Sequence, residues 1–252
     1  MIFFKKLLCV LFAFSGIVWA VPNPEPINVA VASNFASTMQ TIIDNYSAKT
    51  EQPINLLAGS TGKHYLQIIH AAPIDIFFAA DQKRPQALLK RGKAGDVFTY
   101  AIGKLVYWIP DYRGRPITFE QAVRLPAHHI SLANPQHAPY GLAAQQTLEK
   151  LALWGEKNDC QYVLAENVGQ SYHLTKSKAV DAGFVAYSQI KKTQPDGKTF
   201  WLVPQDYYTA IRQDVAVIRP SKKVSDFLRY FTSSVVQETI KADGYQLPSN
   251  RD

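Results

Sequence analysis

Residues 27–62 read INVAVASNFASTMQTIIDNYSAKTEQPINLLAGSTG, and their pattern decides the fold class. INVAVA (27–32) is a short continuous apolar run, the mark of a strand buried on both faces. Ser33-Asn34 then brings the residue types that cap helices, and Ala36, Met39, Ile42, Ile43 and Tyr46 recur at helical spacing. Residues 53–58 give the next strand, Gly59-Ser60-Thr61-Gly62 a turn, and Tyr65, Ile68 and Ile69 the face of a second helix. A third round follows, with strand DIFFA (75–79) and a helix over 82–91. Strands alternating with helices at this spacing predict βαβ units in a mostly parallel sheet flanked by helices.

The alternation restarts after Gly103. Residues 105–109 and 130–133 read as strands and 143–154 as a helix. Residues 183–186 and 200–203 are further short strands, 215–218 another, and 224–240 one long amphipathic helix. No internal repeat or low-complexity linker parts the two runs, which suits two lobes joined by more than one crossing of the chain.

Composition narrows the classes. The chain has 252 residues, 47% of them hydrophobic and 19% charged, enough for a substantial core in one large or two small domains. Residues 1–20 combine Lys5 and Lys6, an apolar run from Leu7 to Trp19, and Val18-Trp19-Ala20 with small residues at the two positions a signal peptidase reads. That is a secretory signal peptide, the run being shorter than a bilayer span. Its removal takes two lysines and lowers the net charge from +7 to +5. The remaining basic residues are dispersed, without an arginine-rich arm or interleaved aromatics, so nucleic acid is not an expected partner.

The residues that carry chemistry sit at strand-to-helix turns. Ser33-Asn34 and Ser60-Thr61-Gly62 each put a hydroxyl, free backbone N–H groups and the positive end of a helix at one point, which makes an anion cradle. Either turn alone is also explained as an ordinary N-cap. Pro135 to Gly141 forms a third rigid loop ahead of a helix. Gly62-Lys63 is not a nucleotide P-loop, since only two residues separate Gly59 from Gly62 and His64 follows the lysine. His128 and His129 are adjacent and lack partners at metal-ligand spacing, and no nucleophile elbow or activated cysteine is present. No protein metal ligand, cofactor or catalytic residue is expected.

Several segments, in order, resemble the periplasmic molybdate-binding proteins, the substrate-binding components of ABC importers. They are VAVASNF (29–35), LLAGSTGKHYLQI (56–68), APIDIFFAADQKRP (72–85), IGKLVYWIP (102–110), ANPQHAPYGLAAQQTLEKLALW (133–154), ENVGQS (166–171), AGFVAYSQI (182–190) and DGYQLP (243–248). The resemblance implies a two-lobed α/β periplasmic binding protein fold of type II with the ligand clamped between lobes. It implies one lobe from 21–101 and 215–252 and the other from 102–214. It further implies a monomer in the periplasm that passes molybdate, and tungstate, to a membrane permease. Carried over by position, Ser33 offers its hydroxyl and Asn34 its amide, and Ser60 and Thr61 do the same from the second loop. Tyr140 and Val168 give backbone N–H groups from the other lobe, and Tyr187 a phenolic hydroxyl.

Every one of these contacts is a neutral donor, which suits a dianion carrying no proton. Phosphate, protonated near neutral pH, would want a carboxylate acceptor. Sulfate meets the same demand as molybdate and stays an alternative. A secreted hydrolase with an interlobe cleft is the rival of another class, and it would need a nucleophile–base pair or a metal set. The signal-free chain retains Cys160 and not Cys9, so reductant should leave its melting temperature unchanged. A large drop on reduction in a thermal melt would reveal an intermolecular disulfide or a retained Cys9.

Overall fold

Apolar runs become strands where they can be covered on both sides, and here two sheets achieve this separately. A computed structural model describes residues 24–155, 161–193 and 199–249. The chain runs through β1 (Ile27–Ala32), α1 (Ala36–Thr50), β2 (Ile54–Gly59), α2 (Thr61–Ile69), β3 (Ile76–Phe78), α3 (Lys83–Lys90) and β4 (Val97–Gly103). It continues through β5 (Leu105–Trp108), α4 (Phe119–Ala122), β6 (His129–Ala133), α5 (Pro139–Lys150), β7 (Gln161–Ala165), α6 (Val168–Lys176), β8 (Ala182–Ala186), α7 (Tyr187–Thr193) and β9 (Phe200–Leu202). It closes with β10 (Ile211–Val217), α8 (Lys222–Phe231) and α9 (Ser234–Ala242).

The strand order is β2-β1-β3-β10-β4 in one sheet and β7-β6-β8-β5-β9 in the other. Within each, the βαβ strands are parallel: β1 with β2 and β3, and β6 with β7 and β8. The sheets are mostly parallel, as expected, with one reversed strand in each: β10 runs antiparallel to β3 and β4, and β5 antiparallel to β8 and β9. The physical reason is the route of the chain. Each of these strands arrives from the other sheet rather than over a crossover helix, so its direction is not the one a βαβ unit imposes. The sheets are therefore mixed, and the two-lobed α/β architecture stands.

The two crossings lie side by side. Lys104 alone separates β4 from β5, and Gly103 pairs with Ile211 at the start of β10. The Leu105 N–H donates to the Tyr208 hydroxyl at 3.1 Å, and the Val203 N–H to the Leu105 carbonyl at 3.0 Å. By strand pairing, the first sheet's β4 ends at Gly103, the second sheet's β5 starts at Leu105, and β10 rejoins the first sheet at Ile211.

Each sheet is covered on both faces by its own apolar cluster. Val29, Val31, Phe35, Phe78 and Phe227 share one side of the first sheet, and Ala30, Phe77 and Leu88 the other. Tyr107, Leu132 and Phe184 face one side of the second sheet, and Val106, Trp108 and Val185 the other. The helix expected over 224–240 is broken into α8 and α9, because Ser233 takes an extended conformation (φ −67°, ψ 156°) and starts α9 as its N-cap. The helix expected from 143 begins at Pro139, whose missing N–H costs nothing in a first turn. Strands β4 and β7 were not read from the sequence. Cys9 and Cys160 lie outside the described residues, as does the expected signal peptide.

Helix α5 can approach β6 only because residue 141 is glycine: a Cβ there would stand 2.0 Å from the Ala133 carbonyl oxygen. Gly141→Ala must push backbone from backbone. It should lower unfolding free energy by about 1–3 kcal/mol, as overpacking does, checked by urea denaturation.

Candidate functional site

A helix leaves the N–H groups of its first turn without intrahelical partners, and three helices begin at one place between the sheets. In α2, the Gly62 N–H donates to the His137 carbonyl at 2.8 Å and the Lys63 N–H to the Ser60 hydroxyl at 3.3 Å, which leaves the N–H of Thr61. In α6, the Gly169 N–H donates to the Ser33 hydroxyl at 3.1 Å and the Gln170 N–H to Asn167 Oδ1 at 3.0 Å, which leaves that of Val168. In α5, Pro139 has no N–H, and the next residue is Tyr140. Two of the local bonds, Gly62 to His137 and Gly169 to Ser33, run between the lobes.

Ser33, Asn34, Ser60, Thr61, Tyr140 and Val168 line a single small cavity. Ala32, Gly59, Ala80, Ala138, Pro139 and Asn167 complete its wall. No lining residue carries a charge. The positive ends of α2, α5 and α6 supply the field instead, and hydroxyls and N–H groups supply the donors. Burial pushes the phenols of nearby Tyr100, Tyr140 and Tyr245 upward, so all three stay protonated.

Six of the seven residues singled out in the sequence are thus brought together, and Tyr187 is not. It opens α7, its N–H bonded to the Lys104 carbonyl at 3.0 Å and its ring 6.4 Å from Phe200. Its neighbour Ser188 reaches the first loop, donating to the Asn34 carbonyl at 3.1 Å, as does the Tyr245 hydroxyl at 2.7 Å. Two roles also change. The N-cap of α1 is Phe35, without a side-chain cap bond, so Ser33 is not a cap. The Asn34 side-chain amide donates to Gln213 Oε1 at 2.9 Å and the Tyr245 hydroxyl at 3.1 Å, rather than standing free. Ser188, Asn167, Tyr245 and Gln213 escaped the sequence reading. Gln213 had a signal, a polar residue inside the apolar strand IRQDVAV.

A model of the bacterial extracellular solute-binding proteins matches residues 27–246. The chain belongs to that family. Over 247 residues it is 36% identical to the molybdate-binding protein ModA of Azotobacter vinelandii, covering 92% of this chain and 94% of the relative. It is 32% identical to ModA of Rhodobacter capsulatus, with 86% of each covered. A solved structure of the A. vinelandii periplasmic molybdate-binding protein superposes with a TM-score of 0.78 at 34% identity, over 88% of this chain and all of that one. These similarities place the chain among the ModA proteins. The sulfate-binding protein SubI of Mycobacterium tuberculosis, at 12% identity and a TM-score of 0.67, shares the fold alone.

His64 supports the second loop from beneath. It is buried, with Nε2 3.2 Å from the Val31 carbonyl and Nδ1 3.0 Å from Gln67 Oε1. Desolvation lowers its pKa below the ordinary 6.5. The folded state therefore binds a proton less readily than the unfolded one, and stability present above pH 6.5 is lost as pH falls below it. The melting midpoint of the ligand-free protein should drop between about pH 7.5 and about pH 5.5, and less steeply in His64→Gln. Calorimetric melts of both proteins check this.

Proposed function

We propose that this protein captures molybdate, and tungstate, in the periplasm and hands it to the permease of an ABC importer, without catalysis and without a resident cofactor. The observation that carries the reading is the uncharged cavity, to which α2, α5 and α6 each present an N–H left over from their first turns. A fully deprotonated tetrahedral dianion fits donors arriving from several directions and needs no acceptor. The relatives' names support the choice of anion, since both ModA proteins are molybdate-binding, and they do not favour sulfate. Ser33, Asn34, Ser60 and Thr61 serve from the first lobe, Tyr140 and Val168 from the second.

An oxyanion panel in a thermal melt tests this directly. Molybdate and tungstate should raise the midpoint by several degrees, through preferential binding to the folded state. Phosphate should not, and an equal shift with phosphate would sink the donor-only reading.

Ser33→Ala removes one hydroxyl and leaves the Gly169 N–H without its partner. Molybdate binding should weaken by about 1.5–3 kcal/mol, or one to two decades in Kd. The ligand-free melt should fall as well, by up to about 1–3 kcal/mol of stability, the cost of an unpaired first-turn N–H, because Ser33, though no cap of α1, accepts from α6. Titration calorimetry beside that melt separates the two effects, and unchanged affinity would remove the first loop from the anion site.

A further inference from the structure

Gln213 is fully buried in β10, at the register shift between Gln213 and Asp214 where that strand pairs with β4. It belongs to none of the loops that line the cavity, yet it contacts the residues behind them. Its Oε1 accepts from the Asn34 side-chain amide at 2.9 Å and from the Tyr100 hydroxyl at 3.1 Å. Three buried polar atoms in this neighbourhood have no partner: Asn34 Oδ1, Gln213 Nε2 and the Tyr140 hydroxyl. The last two crowd the same space, since a Cβ on Gly103 would stand 2.8 Å from Gln213 Nε2 and 2.1 Å from the Tyr140 hydroxyl. Buried donors and acceptors left unpaired are costly, and three side by side call for a common reason.

One rearrangement supplies it. Turning the two amides by half a revolution exchanges nitrogen and oxygen and moves no other heavy atom; the Tyr245 hydroxyl, 3.1 Å from the Asn34 amide, turns its proton from the Asn34 carbonyl to Oδ1, and Ser188 stays on that carbonyl. Gln213 Nε2 then donates to Asn34 Oδ1 and to the Tyr100 hydroxyl, which keeps its own proton on the Ala79 carbonyl at 3.2 Å. Gln213 Oε1 now faces the Tyr140 hydroxyl, which gains an acceptor. Asn34 Nδ2 takes the place of Oδ1, so a residue of the cavity wall holds an N–H donor with no protein acceptor. In the orientation described above, that place holds a lone pair, which repels an anion.

We propose that Gln213 is a positioning residue for the anion site: by the sense of its own amide it decides whether Asn34 offers an anion a donor or an acceptor. When the anion is bound, both amides stand in the exchanged sense. Tyr140, from the other lobe, stabilises that sense through its hydroxyl. The proposal rests on the cavity being the anion site and adds a residue that touches no anion.

A double-mutant cycle by molybdate titration calorimetry tests it, with Gln213→Leu, Asn34→Ala, their combination and Tyr140→Phe beside the unaltered protein. Gln213→Leu and Asn34→Ala should each weaken binding by about tenfold or more, and the double variant should be no weaker than the worse single one. Tyr140→Phe keeps its backbone N–H, and should weaken binding severalfold only while Gln213 is present. On molybdate addition the Asn34 side-chain amide resonance in ¹⁵N NMR should shift and its exchange with water slow, but not in Gln213→Leu. A merely structural role for Gln213 would lower the ligand-free melt and leave that amide signal responding normally. Full additivity, or an unchanged affinity for Gln213→Leu, overturns the proposal. Should Gln213→Leu fail to fold, an unchanged affinity for Tyr140→Phe overturns it instead. Absence of molybdate binding by the unaltered protein would overturn the reading of the site itself.

Discussion

The constraint on which the rest depends is the shortage of acceptors at helix beginnings. A first turn must place its N–H groups somewhere, and a buried one placed nowhere is expensive. Here caps and neighbouring loops absorb all but a few. Ser60 and Asn167 take one each through their side chains, His137 takes one through its carbonyl, and Ser33 takes one across the cleft. What remains is collected in a single small space. Charge is unnecessary there, because the donors are part of the backbone and cannot swing away. This is a rigid arrangement, and its rigidity is inherited from β1, β2 and β6, whose ends hold the loops.

That inheritance explains what the sequence could disclose. INVAVASNF and LLAGSTGK expose both halves of the argument at once, a buried run followed directly by hydroxyl and glycine, so Ser33, Ser60 and Thr61 were legible from local pattern. Tyr140 and Val168 came by position within resembling segments, since a backbone N–H leaves no trace in residue type. Tyr187 stands apart from the other six, since a phenol in AYSQI says nothing of the direction its ring takes. In the structure the ring turns toward Phe200 and the next residue, Ser188, turns toward Asn34.

The fold shows a similar division. Runs such as DIFFA and the helix faces of α1 and α8 followed from periodicity. Strand direction did not, because whether β5 and β10 run with or against their neighbours depends on where the chain has just been, which is not local information. The break between α8 and α9 is hidden in the sequence for a subtler reason: the apolar spacing continues through it, and only the extended backbone of Ser233 marks the end.

The nearness of the two crossings has a mechanical corollary. With Lys104 alone between β4 and β5, and the return strand lying against the same spot, any change in the attitude of one lobe to the other must be taken up by torsions of very few peptides. Close to the cavity loops, Lys63 of one lobe meets Glu166 of the other, so the contact between the lobes lies beside the site itself. The cavity is walled by loops from both lobes, so its shape depends on how the two are held together.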